Sequence, residues 1–284
     1  MLGVLGDLVE DIVVWLAEPL REATDTQVDL YRTRGGSAAN VAMFAGTRHP
    51  TRFIGCVGDD AVGGALAAEL ASYGVDVRVQ RRGTTGTVVV LVDDRGERTM
   101  LPHQGASALL ADVDQHWYDD LAHLHVTAYS LVARPVGDTA LAAVRRMHAQ
   151  HATVSVDVSS TGLLRRYGRS WFLQVLAGVR PRFLFANRSE AAFLELMRDR
   201  ALAETVVVVK DGEHPTTVLA PGEPPLRVDV PHVDDVHDRT GAGDAFAAGF
   251  LTAYLRGADL SGCAEAAHAT AARVLRTPGA TLDR

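Results

Sequence analysis

Short β-branched runs, apolar at every position, alternate along this chain with longer Ala- and Leu-rich stretches, and this alternation restricts its fold more than any other feature. Val206-Val207-Val208-Val209 is the plainest case. A strand without a polar face has to be covered on both sides, as in a parallel sheet packed between helices. Further strands are expected at 2–5, 52–57, 88–92, 123–127, 153–156 and 183–185, and helices at 62–72, 136–150, 189–196, 242–255 and 263–275. Strands that alternate with helices form right-handed βαβ units. An α/β fold follows, with a mostly parallel central sheet and helices on both faces. Ligands of such sheets bind beyond the carboxyl ends of the strands, so the loops there are the place to search.

Two segments break the rhythm. Residues 12–34 mix charge with scattered apolar positions, and 75–102 alternate before turning at Asp93-Asp94-Arg95-Gly96. Both read as β-hairpin-like excursions. Their strands form either edges of the main sheet or a small sheet covering the ligand site. The second reading gives a lid built discontinuously from about 12–34 and 75–102 within one domain spanning 1–284.

Composition closes off other classes. With 47% hydrophobic and 22% charged residues over 284 positions, the chain is neither disordered nor short of core. A net charge of −7 argues against non-specific binding to nucleic acid or an anionic membrane. No run approaches membrane-spanning length, and the apolar start gives way to Asp7, Glu10 and Asp11 without a basic region before it, so no signal peptide is expected. Cys56 and Cys263 are far apart, which argues against a disulfide framework and suits the cytoplasm. The histidines form no metal-binding cluster, and His123 and His125 are expected on opposite faces of their strand.

Four segments carry candidate chemistry. In Asp238-Arg239-Thr240-Gly241-Ala242-Gly243-Asp244, two glycines let the backbone turn its N–H groups to one side just before a helix, which makes an anion cradle. Asp244 at its mouth either handles a proton or caps the helix. With an ordinary pKa of about 3.9 it would be ionised at pH 7. Gly35-Gly36-Ser37-Ala38-Ala39-Asn40 allows close approach of a ligand, with Asn40 offering donor and acceptor. Asp7 and Asp11 follow the first strand, where carboxylates suit vicinal hydroxyls. Asn187 and Glu190 either organise Mg²⁺ through water or form a helix capping box. Asp157, at a strand end, reads as a loop residue or a pocket residue.

Taken in order along one α/β chain, these segments resemble the PfkB/ribokinase-like family of carbohydrate and nucleoside kinases, and the resemblance covers nearly the whole chain. Residues 55–63, Gly55-Cys56-Val57-Gly58-Asp59-Asp60-Ala61-Val62-Gly63, look like its G-x-V-G-x-D-x-x-G turn. Gly96-Glu97-Arg98-Thr99 is similar to its lid hairpin, and Thr277-Pro278-Gly279-Ala280 to its C-terminal signature. The resemblance implies a ribokinase-like α/β fold with a small β-sheet lid. It implies an ATP-dependent kinase acting on a primary hydroxyl of a sugar or sugar acid. A nucleoside kinase is the alternative, followed by a catalytically weak sugar- or nucleotide-binding sensor.

Residue roles follow by position. Asp244 would be the base, and the amides of Gly241, Ala242 and Gly243 the anion hole for the transferred phosphoryl group. Asp11, Gly36 and Asn40 would hold substrate hydroxyls with help from Asp7, and Arg98 on the lid would reach substrate or phosphates. Asn187 and Glu190 would position Mg²⁺ and the nucleotide phosphates. Lys210, the only lysine, and Gly212 match a nucleotide loop, and His268 falls near the adenine position. Asp238 would help hold a monovalent cation such as K⁺ where members bind one. Lids of this family pair, which implies a homodimer through the lid. Four departures stand out: Pro215 replaces the loop's second glycine, Asp157-Val158-Ser159 lacks the usual asparagine, His268 stands where the family often has asparagine, and Ser37 stands where ribokinases carry lysine. The last points away from a phosphorylated sugar. Trp15 and Tyr31 are the aromatic candidates for stacking on a nucleobase.

Overall fold

The structure, a computed structural model, describes residues 1–198, 202, 204–277 and 280. The chain opens with β1 (Leu2–Leu5), passes through β2 (Val9–Leu16) and β3 (Val28–Gly35) into α1 (Ser37–Gly46), then runs β4 (Thr51–Val57), α2 (Ala61–Ser72), β5 (Val75–Arg81), β6 (Thr87–Val92) and β7 (Arg98–His103). Next come β8 (His123–Thr127), α3 (Tyr129–Val132), α4 (Val136–Ala149), β9 (Thr153–Asp157), α5 (Thr161–Tyr167), α6 (Arg169–Val179), β10 (Phe183–Asn187) and α7 (Arg188–Leu194). The chain finishes with β11 (Val206–Asp211), β12 (His214–Leu219), β13 (Leu226–Val228), α8 (Ala242–Leu255) and α9 (Leu260–Val274).

Nine strands form one sheet in the order β13-β12-β11-β10-β9-β8-β1-β4-β5, parallel from β11 through to β5. Only β12 and β13, at one edge, add antiparallel pairs. The apolar runs divide their side chains between two cores. Val206 and Val208 join Phe183, Phe185 and Phe250 on the α1, α8 and α9 face; Val207 and Val209 join Leu184, Leu176 and Val144 on the α4 and α6 face. This is the two-sided burial that a strand without a polar face demands. Helices α5 and α6 lie outside the expected helical segments, their pattern being divided by Gly168 at φ 86°.

The second sheet has four strands, β3-β2-β6-β7, with β2 and β6 parallel at its centre. One boundary differs from expectation. Residues 75–81 form β5, which pairs with β4 at the edge of the main sheet, because Val75, Val77 and Val79 pack into the α1–α2 core. The small sheet therefore comprises 9–16, 28–35, 87–92 and 98–103. Asp60 ties the crossing between the sheets: it caps α2 through Gly63 N at 2.8 Å and takes both the amide and hydroxyl of Thr85, at 2.8 and 2.6 Å. The Gly58–Gly63 turn thus serves as the joint from which β6 departs.

Among the described residues, no helix is long and apolar enough to cross a membrane. His123 and His125 correct another expectation. Positions two apart on a strand share a face, and both rings hydrogen-bond Ser155 Oγ at 2.8 Å inside the core.

Candidate active site

The carboxyl ends of β1, β9, β10 and β11 open into a cleft of about 1810 Å³, walled on the far side by the small sheet. Helix α8 begins there. Gly241 precedes it at φ 76°, where a Cβ would fall 2.6 Å from that of Ala280. Pro278 and Gly279 of the C-terminal segment lie outside the described residues.

Asp244 is the third residue of α8 and does not cap it. Its carboxylate turns to the start of α1, where Ser37 Oγ donates to Oδ1 at 2.6 Å and Asn40 Nδ2 to Oδ2 at 2.8 Å. Burial pushes the carboxyl up to about 7, while the two donors work against the rise. The expectation of an ordinary aspartate is corrected: enclosure between two helix starts poises it near neutrality, where a general base is most effective. Of the three amides expected to face an anion, Ala242 N–H is directed at Arg239 O over 3.3 Å.

The glycine pair is required by its neighbours. A Cβ on Gly35 would sit 2.0 Å from Asp11 Oδ1, and one on Gly36, at φ 101°, would sit 2.4 Å from Asp7 O. Asp7 accepts the Ser37 and Ala38 amides at 3.1 Å each. Its carboxylate thus holds the start of α1 while the residue lines the cleft. Asp11 lines the cleft, its carboxyl pushed up to about 6 by burial and by Asp7, with Arg34 opposing.

Arg34 is 3% exposed beneath this floor. Its Nη1 donates to Asn40 Oδ1 at 2.8 Å, its Nη2 to Met43 Sδ at 3.1 Å and Ala280 O at 3.4 Å, and its Nε lies 3.6 Å from Glu69 Oε1. Sequence reasoning missed Arg34, and treated Ser37 only as a missing lysine.

Arg98 reaches down from β7 and pairs with Asp238 Oδ1 at 2.7 Å. The same oxygen accepts the Thr240 amide and hydroxyl at 2.8 Å each. The Arg98 guanidinium thus already answers the carboxylate at which a monovalent cation is expected.

On the opposite wall, Lys210 Nζ pairs with Asp157 Oδ2 at 2.8 Å. Burial works against its charge, yet Asp157, Glu190 and Asp244 outweigh it and hold the ammonium above its usual range. A Cβ on Gly243 would meet Lys210 Nζ at 3.3 Å, so this cation borders the first turn of α8. Asp157 is a pocket residue, not a solvated loop residue. Asn187 and Glu190 form the capping box of α7, with bonds of 2.9 and 2.8 Å. Glu190 is buried and Asn187 exposed, and both line the cleft beside Asp157. Such carboxylate oxygens suit Mg²⁺, which is commonly held by one or two carboxylates and its own waters. Among the described residues no cluster of three or more His, Cys, Asp or Glu exists to cage a metal.

Gly212, at φ 64°, turns the β11–β12 hairpin, and Pro215 has a place of its own: it and Thr216 stand opposite the single Lys210 at a register shift. A proline, lacking an N–H, is tolerated at such a bulge. His268 lines the cleft but lies buried, its Nε2 2.8 Å from Thr216 Oγ1 and its ring against Phe246. Tyr31 borders the cleft and Trp15 does not.

The sequence matches the family described as pfkB family carbohydrate kinase over residues 4–284. It is similar to a Halopiger xanaduensis protein named ATP-dependent ribose-1-phosphate kinase, 35% identical over 257 residues, covering 87% of this chain and 81% of that protein. A Klebsiella pneumoniae fructokinase is 31% identical over 266 residues, covering 87% and 82%. Among solved structures, an adenosine kinase from Sinorhizobium meliloti superposes with a TM-score of 0.86 at 25% identity, over 98% of this chain and 94% of that one.

Proposed function

Because this chain belongs to the pfkB family of carbohydrate kinases, we propose that it transfers the γ-phosphoryl group of ATP to a primary hydroxyl of a sugar or sugar acid, with Asp244 as the general base. The carboxylate held by Ser37 and Asn40 at the mouth of a helix N-terminus carries this reading. Asp244 takes the proton as the acceptor oxygen bonds to phosphorus, and the bond to the ADP oxygen breaks with its electron pair leaving on ADP. Gly241 and Gly243 amides and the α8 N-terminus face the negative charge that gathers on the phosphoryl oxygens, an electrostatic role typical of such transfers. Lys210 is the nearest cation for the nucleotide phosphates, with Gly212 and His268 further along the same wall. Glu190, with Asn187, would hold Mg²⁺ through water, and Mg²⁺ would screen the phosphate charge.

Asp11 and Asn40, with the bare backbone of Gly36, are assigned to the acceptor hydroxyls. The small sheet acts as a lid that excludes competing water, with Arg98 as its anchor. Its exposed Leu30 and Leu101 support pairing into a homodimer through this sheet. The free Cys56 and Cys263 suit a cytoplasmic enzyme.

A nucleoside acceptor is the second reading, favoured by Tyr31 at the cleft and by the adenosine kinase likeness. A phosphorylated pentose enters through the ribose-1-phosphate kinase relative, although Ser37 is bonded to Asp244 and offers no cation for a second phosphate. ADP release with Mg·ATP, measured across ketoses, aldoses, sugar acids, ribose 1-phosphate and nucleosides beside Asp244→Asn, tests all three. Turnover on one class, abolished in the variant, supports the kinase reading. No turnover, with ligands still raising Tm, would replace it with a sensor.

A further inference from the structure

We propose that Arg34 is a positioning residue that fixes the orientation of the Asn40 amide and, through it, the state of the Asp244 carboxyl. This rests on the reading of Asp244 as the base. An asparagine amide can turn over at little cost, because its two ends are nearly the same size. At Asn40 only one orientation satisfies both neighbours. Arg34 is donor only, and at 2.8 Å it accepts nothing but Oδ1 as a partner. Nδ2 is then left to donate to Asp244 Oδ2, also at 2.8 Å. Without the guanidinium, the amide is free to turn Oδ1 toward a protonated Asp244 carboxyl and accept its proton's hydrogen bond, which favours the neutral acid.

The guanidinium is itself held in place. Nη2 donates to Met43 Sδ and Ala280 O, Nε makes only an ion-pair contact with Glu69 at 3.6 Å, and the side chain is 3% exposed. A charge buried this deeply is strongly destabilising unless it is paired. Its position at the end of β3, one residue before the glycine pair, lets it reach under α1 to the face of Asn40 turned away from Asp244. Besides Asn40 and Ser37 from α1, the charged and titratable groups acting on or with Asp244 are Arg34 from β3, Asp157 from β9, Lys210 from β11 and Tyr129 from α3. Of these, only Arg34 touches a side chain that itself bonds Asp244.

The test is a double-mutant cycle read on the full-length protein by ¹³C NMR of aspartate carboxyls, with the Asp244 signal identified by its loss in Asp244→Asn. Arg34→Gln and Asn40→Ala should each raise the Asp244 midpoint by about one unit, the size expected for loss of a charged or donor partner. If Arg34 acts through Asn40, the double variant moves the midpoint beyond Asn40→Ala by less than half the Arg34→Gln shift. Additive shifts, or no shift in Arg34→Gln, would overturn the proposal. Should Arg34→Gln not fold, Arg34→Met, which fills the space and offers no donor, enters the same cycle with the same criteria. A wild-type protein that releases no ADP with any acceptor would defeat the kinase reading, and the carboxyl titration would still decide the link from Arg34 to Asp244.

Discussion

Ser37 Oγ and Asp244 Oδ1 stand 2.6 Å apart across 207 residues of sequence, so the starts of α1 and α8 are joined by one short hydrogen bond. A hydroxyl donating to a carboxylate stabilises its ionised form. Ser37→Ala should therefore raise the Asp244 pKa and move the acid limb of kcat/KM to higher pH. At pH 7 the rate is expected to fall by roughly threefold to tenfold, and at pH 9 to recover most of the loss, since a pKa rise of one unit changes the ionised fraction by up to about tenfold. A rate loss that is the same at every pH would show that Ser37 does something else.

Asp244→Asn keeps the shape and removes the base. Turnover should fall by about 10²–10⁴, the usual contribution of general base catalysis, with ATP affinity measured by calorimetry little changed. Retention of near-wild-type turnover would end the assignment.

Stability should respond to pH through two groups of opposite sign. Burial, and for His123 also His125, holds the two rings down at about 3 and about 4, against an ordinary 6.5. The unfolded chain then binds more protons than the native one between roughly pH 3 and 6.5, so stability is lost as pH falls through that range. Asp244 is shifted the other way, from 3.8 up to about 7. Its contribution is present below about pH 4 and is lost as pH rises through 7. Urea unfolding from pH 5 to 8 reads the sum, and His123→Gln should flatten the acid side. An unchanged acid slope in that variant would acquit the histidines.

Gly35→Ala places a Cβ 2.0 Å from Asp11 Oδ1. The carboxylate, at the end of a flexible side chain, must move aside. The acceptor KM should rise by an order of magnitude with the ATP KM unaffected, and initial-rate kinetics against each substrate would show it.

Arg98→Ala removes the ion pair that ties β7 to the loop before α8. Amide exchange in β6 and β7 should accelerate, and kcat/KM should fall about tenfold or more, as expected when a charged hydrogen-bonded partner is removed. If K⁺ then restored activity to the variant while leaving the wild type unmoved, a cation would be standing in for the guanidinium.

The main sheet was legible because its strands are apolar on both faces, and Val206–Val209 admits few other readings. The turn before α8 was legible too, since Gly241, at φ 76°, is a local requirement of a local turn. What escaped were relationships carried by tertiary packing. Residues 75–81 alternate like a hairpin strand, and only the pocket receiving Val75, Val77 and Val79 decides their sheet. Asp157 meets Lys210 only through the register of β9, β10 and β11. Nothing near Ser37 in sequence announces Asp244, and Arg34 looks like one more charge on an exposed strand until α1 closes over it.

The parallel seam of the small sheet, Ile12 beside Val89, bears on how the molecule assembles. Each half of that sheet is an antiparallel pair that local contacts can form. The seam between them joins segments separated by α1, β4, α2 and β5, so it closes only after those elements have docked, and contacts of such separation form slowly. The cleft, whose covering sheet carries that seam, is thus expected to be completed late in folding. Acceptor binding then reports a finished molecule, and partly folded chains are blind to the substrate that would stabilise them.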